Sequence, residues 1–522
     1  MKAAALALVP LAFAACALIA GAQPFAWPTP LPRSTPAPQP TQVWSGAPAT
    51  GLRLQVAPLG VTPDGEVRAL VRVVLHDASG APTTLRRGGD FVFHVDHGTA
   101  QWQTRLRYGG PAAIVAVRDA VPVTIRAIGD VPATLGSASA PFDPRPFAHR
   151  VAAGALGPHL VRIGWFPRPR AGVVRIARVR ADGRLVPVAR LRAPATSWDD
   201  GTVTPGEEAR YAVALPGGVH GVRVRVPPEL PSTGLDVVRG TAVWLSFSGD
   251  LLDDTRYTTL DVPQIVATAV RAHVRAVELR LAYGAFAEMT PAAKPTLDAL
   301  IDGLSAHGVR VVGWTVPRTV AADDLAEASA VAAYRTPAGN GISGLAVDLE
   351  RGEEFLGEGS VGYAALRTYL AVLRRAVGPH VLLVATVEDP YVEHLDQARY
   401  PYRAIAGAAD ALQPMVYFGV RGRAGPAVAA RAVTGSLAAL RGLAGPLPID
   451  VGVQTAPLGA GGAPGPDAVA AAFASARAAG ALGVAVYDWA GTDAAQWAAV
   501  SVDTFTTPVP GGRGVPAAKR QP

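Results

Sequence analysis

Apolar residues follow two rhythms along this chain. From Gly51 to about Asp143 they come in short alternating runs, among them "LRLQVAPL", "VRALVRVVLHD", "DFVFHVDHG" and "VPVTIRAIG", parted by turn sequences such as "VTPDGE" and "DASGAP". Alternation of period two over strand length predicts half-buried strands, and a series of them predicts an all-β sandwich over 51–143. The same grammar returns from Phe147 to about Pro231, in "LVRIGWFP" and "TSWDDGTVTPGEEARYAVAL", and predicts a second sandwich over 147–231. Trp165 and Tyr211 read there as core residues rather than sugar-stacking ones, because aromatic rings so often serve packing.

From Gly240 strand-like runs alternate with helical ones: "TAVWLSF" with "VPQIVATAVRAH", "VRAVELRLAY" with "KPTLDALIDGLSAHG", and onward to "LGVAVYDWA" with "DAAQWAAV". About eight such units in about 260 residues is the dimension of a closed (β/α)8 barrel, predicted over 240–505. A doubly wound open sheet is the alternative, disfavoured because no Gly-rich phosphate loop follows an early strand. The predicted fold class is multidomain: two all-β sandwiches followed by a (β/α)8 TIM barrel.

Against these patterns, "GLAVDLE" at 344–350 is unusual, because it sets Asp348 and Glu350 into an apolar run. Side chains two apart on a strand share a face, about 6.6 Å apart along the chain. Leu345, Val347 and Leu349 then form a row for the surrounding helices, while Ala346, Asp348 and Glu350 face the barrel interior, with Glu350 at the carboxyl end where barrel chemistry lies. The same parity aligns Gln413, Met415 and Tyr417 in "LQPMVYF" and Ala485, Tyr487 and Trp489 in "LGVAVYDWA". It pairs Trp244 with Ser246 in "TAVWLSF". A cleft floored by Trp489 and bordered by Tyr417 and Trp244 suits the apolar face of a sugar ring. Two close carboxyls cannot both ionise freely, so one keeps its proton near neutral pH, as departure of a glycosidic oxygen requires. Glu350 is the candidate acid and Asp348 its partner. The plainer reading is that such acids pair with arginine, and Arg351 is adjacent. Glu388 and Asp389, at the end of the fifth strand, are lesser candidates for a second carboxylate, and Glu353, Glu354 and Glu358 are expected to decorate a loop.

Composition changes the picture mainly at the ends. Met1-Lys2, an apolar run to Ala20 and the small residues Ala20-Gly21-Ala22 predict a signal peptide over 1–22, with a retained membrane anchor as the rival reading. "LAFAAC" loosely resembles a lipobox around Cys16, which reads equally well as a buried apolar cysteine. Residues 23–50, rich in Pro, Thr and Ser, predict an extended linker, and 506–522 a disordered tail. Cys16 is the only cysteine, so an exported product has no disulfides and no Cys-based metal site. Neither a metal nor a cofactor is expected. The net charge of +7 rests on scattered arginines, with only Lys2, Lys294 and Lys519 as lysines. Scattering argues against a nucleic-acid partner and leaves contact with anionic wall polymers.

Three resemblances extend this reading. "HDASGAPTTLRRGGDFVFHVDHGTA", with its D-x-x-G-x-P turn, resembles bacterial immunoglobulin-like domains of invasin type. Pro205-Gly206 shortly before Tyr211 resembles a fibronectin type III domain, whose corner tyrosine bonds back to the backbone near the turn. The barrel resembles family 18 glycoside hydrolases: their fourth-strand D-G-x-D-x-D-x-E is met by Ser343-Gly344-Leu345-Ala346-Val347-Asp348-Leu349-Glu350, their sixth-strand Met-x-Tyr by Met415-Val416-Tyr417, and their eighth-strand tryptophan by Trp489. The resemblance implies Glu350 as general acid, Asp348 orienting an acetamido group whose oxygen is the nucleophile, and Tyr417 beside them. Resemblance and strand parity together give Trp489, Trp244, Met415, Gln413, Tyr487 and Gln454 as the expected substrate-binding residues. A seventh strand ending in Gln454 fits, since that mechanism needs no second enzyme carboxylate. Ser343, Ala346 and Phe418 depart from the family pattern and weaken the proton relay and the acetamido grip. The expected protein is secreted or held at the cell surface, its membrane contact limited to an N-terminal anchor, and it cleaves a polysaccharide or cell-wall glycan. The alternative is a non-catalytic, adhesive glycan binder with a degenerate barrel.

Overall fold

A computed structural model describes residues 49–83, 91–106, 110–129, 136–246 and 261–501, apart from 285, 288, 290, 292, 353–354, 421, 423 and 459–460. The expected signal peptide with Cys16, the linker up to residue 48 and the tail 506–522 lie outside the described residues. The chain divides into two compact units, the first ending at Val226 and the second beginning at Pro227, with Leu156–Leu160 counted in the second.

The first unit is built from antiparallel sheets. Strands Gly51–Val61, Val67–His76, Gly110–Val117 and Thr99–Leu106 lie side by side in that order, with Pro82–Thr83 beside the second. Phe91–Val95, Val123–Gly129 and Ser137–Phe142 form another sheet. Alternation explains their packing: Val67, Ala69, Val71, Val73 and Leu75 are all buried, and they meet Phe91, Phe93 and Ile125 in one core. Asp77 closes the turn before Pro82, accepting from the backbone N–H groups of Ser79 and Ala81 at 2.9 and 3.0 Å, while Gly80 takes a φ of +82°.

Farther along this unit, a three-stranded sheet (Ser197–Asp200, Leu160–Phe166, Arg150–Gly157) and a four-stranded sheet (Leu185–Arg192, Val173–Val179, Glu208–Leu215, Gly218–Arg225) enclose a second core. Trp165 and Tyr211 are both fully buried in it. The Trp165 indole donates to the Ala195 carbonyl at 2.9 Å. The Tyr211 hydroxyl donates to Oδ2 of Asp200 at 2.7 Å, whose Oδ1 accepts from the Thr202 backbone at 2.8 Å. The corner is therefore tied through a carboxylate rather than directly to backbone. Arg162 joins the two cores' edges, donating to Asp64 at 2.9 Å and to both oxygens of Asp199 at 2.7 and 3.1 Å.

The second unit contains eight parallel strands that close on themselves: β1 (Gly240–Ser246), β2 (Ala276–Tyr283), β3 (Arg310–Val316), β4 (Leu345–Leu349), β5 (Leu383–Val387), β6 (Ala411–Val416), β7 (Asp450–Gln454) and β8 (Gly483–Tyr487). Closure comes from β1, which pairs in parallel with both β2 and β8 and so excludes the open sheet. Helices α1 (Val262–Arg271), α2 (Lys294–Ala306), α3 (Ala322–Ala333), α4 (Gly359–Val377), α5 (Tyr402–Ala406), α6 (Pro426–Ala444), α7 (Pro466–Ala478) and α8 (Ala494–Val500) follow the strands in turn. A two-residue strand, Phe286–Ala287, folds back on β2.

Local chemistry sets the helix ends. Asp261 caps α1 through the Gln264 N–H, and Asp493 forms a reciprocal capping box with Gln496 at the start of α8. The strands' alternation splits the apolar residues into two shells. Val243, Leu245, Leu345, Val347, Leu349, Val451 and Val453 pack outward with the helices, while Ala242, Trp244, Val312, Trp314, Ala346 and Tyr487 pack inside. Gly452 on β7 makes room for the largest of these: a Cβ there would lie 2.5 Å from Cη2 of Trp244.

Candidate active site

The pleat of β4 sends Leu345, Val347 and Leu349 to the outer shell and Ala346 to the inner one, and Asp348 and Glu350 continue the inner row. Asp348 is 5% exposed. Its Oδ2 accepts the indole N–H of Trp314, one strand away on β3, at 3.1 Å, and its Oδ1 accepts no hydrogen bond. Burial pushes the Asp348 carboxyl up to about 7, against the pull of the Trp314 N–H and of the Arg280 charge, and the Glu388 charge adds to the rise. Glu350, one residue past the strand, is partly exposed at the mouth.

Four aromatic rings line the space these acids face. Trp244 lies 6.3 Å from Trp314 and 5.6 Å from Tyr487, and Tyr487 is 5.3 Å from Tyr417, all between ring centroids. Both carboxylates act on both tyrosines: the negative charges of Asp348 and Glu350 add to burial in raising the Tyr417 hydroxyl and in raising that of Tyr487 to about 12. Asp488 contributes to both, while Arg280 opposes the rise at Tyr487. Arg280 lies on β2 with its guanidinium over the Trp314 ring at 5.5 Å. Beside these residues a cavity of about 1160 Å³ opens, lined by Ser246, Arg280, Tyr487, Asp488, Trp489 and Trp497 among others.

The other residues singled out in the sequence take different stations. Trp489 lies beyond the end of β8 and packs on Trp497 of α8 at 4.9 Å, so Tyr487 rather than Trp489 stands in the inner ring. Met415 is partly exposed on β6. Gln413 is fully buried deeper in the barrel and is bonded to Glu278, Asp450 and Thr386. Gln454 is also fully buried; it accepts from the Gly419 N–H at 2.9 Å and donates to the Ala456 carbonyl at 3.0 Å, which ties two loops together. Glu388 binds the Arg351 backbone N–H at 2.9 Å and its guanidinium at 2.7 Å. Asp389 is buried and accepts the N–H groups of Tyr391 and Val392, which makes it a turn residue. Among the described residues no group of three His, Cys, Asp or Glu is placed to hold a metal ion.

Three residues that shape the site escape a motif reading. Trp314 supplies Asp348 with its donor, and Tyr400 holds the end of β4 by donating to the Leu349 carbonyl at 2.7 Å. Glu278 on β2 faces into the barrel and is fully buried. The signal for Glu278 was present: "VELRLA" carries an acid inside an apolar strand, as "AVDLE" does.

No family model matches the sequence, and no curated protein matches it. Among solved structures, a chitinase from Chromobacterium violaceum is similar at 16% identity over 52% of this chain and 100% of that one, with a TM-score of 0.37. A family GH18 chitinase from Cycas revoluta in complex with (GlcNAc)3 is similar at 14% identity over 51% and 99%, TM-score 0.37. The spore cortex-lytic enzyme SleL of Bacillus megaterium is similar at 11% identity over 55% and 77%, TM-score 0.35. So distant a likeness assigns no role to any residue, and the roles rest on the side chains' own geometry.

Proposed function

We propose that the barrel is a glycoside hydrolase that cleaves a β-linked polysaccharide of the cell-wall or chitin type, with Glu350 as the general acid. The observation that carries this reading is the inner row of β4, which runs from Ala346 through the buried Asp348 to Glu350 at the carboxyl end of the barrel, where the charges of both acids raise the paired phenols Tyr417 and Tyr487. In this arrangement Glu350, at the rim, protonates the departing glycosidic oxygen. Asp348, buried and held by Trp314, orients the substrate and balances the positive charge that develops on the sugar ring. The Tyr417 hydroxyl, which burial and the acids keep protonated, donates toward the group that attacks. Tyr487, partly exposed, supplies an apolar ring face beneath the sugar, backed by the buried Trp244 at 5.6 Å.

The first unit supports the delivery of this chemistry rather than the chemistry itself. Its three-plus-four strand order fits a fibronectin type III-like module, and the sheets before it an immunoglobulin-like one. With a cleaved leader and a Pro-rich linker, these modules would present the barrel outside the cell, secreted or held at its surface.

A second reading, a glycan binder without turnover, draws on Ala346, which leaves Asp348 with no acid beneath it on its own strand. One experiment separates the two. Wild-type protein and Glu350→Gln are offered a panel of labelled polysaccharides, and both binding and product release are followed. Hydrolysis by the wild type that falls by about 100-fold or more in the variant, with binding retained, supports the acid role. Binding without product from the wild type favours the second reading, and equal turnover by both proteins removes Glu350 from the mechanism.

A further inference from the structure

The floor of the barrel holds another pair of carboxyls, which the proposed reaction does not use. Glu278 on β2 and Asp450 at the start of β7 are both fully buried. One nitrogen serves them both: Nε2 of Gln413, on β6, donates to Oε1 of Glu278 at 2.7 Å and to Oδ2 of Asp450 at 2.9 Å. The amide oxygen accepts the Thr386 hydroxyl at 2.7 Å. The second oxygens, Oε2 of Glu278 and Oδ1 of Asp450, accept no hydrogen bond, and neither acid makes an ion pair among the described residues.

Two carboxyl oxygens on one nitrogen are near neighbours. In a site with no cation among the described residues and almost no surface, like charges so placed cannot both persist. The groups that face the pair are few. Asp348 from β4 and the indole N–H of Trp244 from β1 face Glu278, the Val451 backbone N–H faces Asp450, and Gln413 faces both. Of these only Asp348 is charged, and its own surroundings add Arg280 from β2 and Glu388 from β5.

We infer that Glu278 and Asp450 hold one proton between them at neutral pH, across Gln413, and that the negative charge of Asp348 helps to keep it there. With one proton the pair carries a single negative charge; losing it adds a second, which Asp348 meets from below. Ala346 offers no acid on β4, and the charges that act on Asp348 are those of Arg280 on β2 and Glu388 just past β5. The pair meets the proposed chemistry only through Asp348, and that link rests on the proposed glycosidase reading.

Isotope-labelled carboxyl NMR of the intact protein tests the pair without requiring activity. In the wild type, one of the two carboxyls is expected to titrate well above pH 7 and the other below it. In Glu278→Gln, and separately in Asp450→Asn, the remaining acid is expected to titrate in a single step at least about one pH unit lower than the high step, because the like charge is gone. Each replacement is close in shape to the protonated acid, which favours folding, and the unfolding temperature is checked alongside. Both acids ionised at pH 7 in the wild type, or a high step unmoved in both variants, would overturn the pair. The link to Asp348 is read by the same titration in Asp348→Asn, where loss of the nearby charge is expected to lower the high step by about one pH unit; a high step unmoved in that variant removes Asp348 from the pair's surroundings. If the wild type hydrolyses no glycan, the glycosidase reading fails while the NMR titration still decides the shared proton.

Discussion

Trp314 on β3 donates its indole N–H to Oδ2 of Asp348 on β4 at 3.1 Å, and Arg280 on β2 lies over the same ring. A buried carboxyl is thereby given one neutral donor and a nearby positive charge. That partly offsets the cost of burying it.

Trp314→Phe keeps the ring and removes the donor. Leaving a buried acceptor without its partner costs about 1–3 kcal/mol, so urea unfolding is expected to show a loss of that size. Asp348 should also become harder to ionise, and the acidic limb of any hydrolytic activity should move to higher pH. A variant as stable as the wild type would mean that Asp348 finds another donor.

Gly452→Ala places a Cβ 2.5 Å from Cη2 of Trp244 and 3.0 Å from the Pro414 carbonyl oxygen. Overpacking of this kind costs about 1–3 kcal/mol. Combining it with Trp244→Phe should recover part of the loss, a coupling of about 0.5–3 kcal/mol in a double-mutant cycle. Strict additivity would identify the Pro414 carbonyl, rather than the indole, as the barrier.

Stability should fall as pH rises from about 4 to about 7. Burial raises Asp324, Asp348 and Asp450 each to about 7, so the folded protein holds protons that the unfolded chain releases near an ordinary carboxyl pKa of about 4. Where the native state binds more protons, unfolding free energy decreases with pH, and it levels off above the folded pKa values. Asp324, on α3, accepts the Arg318 and Thr319 N–H groups at 2.9 Å and the Tyr369 hydroxyl at 3.0 Å. Asp324→Asn keeps an acceptor oxygen and removes a titrating group, so a series of unfolding temperatures across this window should have a shallower slope. A wild-type stability that climbs through the window would contradict the burial argument.

The closed barrel was legible because alternation within each strand is local: Leu345, Val347 and Leu349 announce an outward row wherever the strand is placed. The limits of that legibility are equally physical. Parity carries only as far as the strand does, and β8 ends at Tyr487, so the ring position passes to Tyr487 while Trp489 packs on α8. Gln413 reads from sequence as a substrate-binding residue in the row of Met415 and Tyr417. Its role is set by Glu278, 135 residues away in the chain, and no local pattern reports that separation. Trp314 looked like one more apolar residue in "VRVVGWTV" until its nitrogen was seen on Asp348. In the first unit the burial of Tyr211 follows from its alternating strand, but its bond to Asp200 depends on how two sheets meet.

The bond from Gln413 on β6 to Glu278 on β2 ties strands on opposite sides of the barrel, and so closes its axis like a crossbeam. A tunnel through the fold is thereby ruled out, and whatever enters the mouth must leave by the same rim.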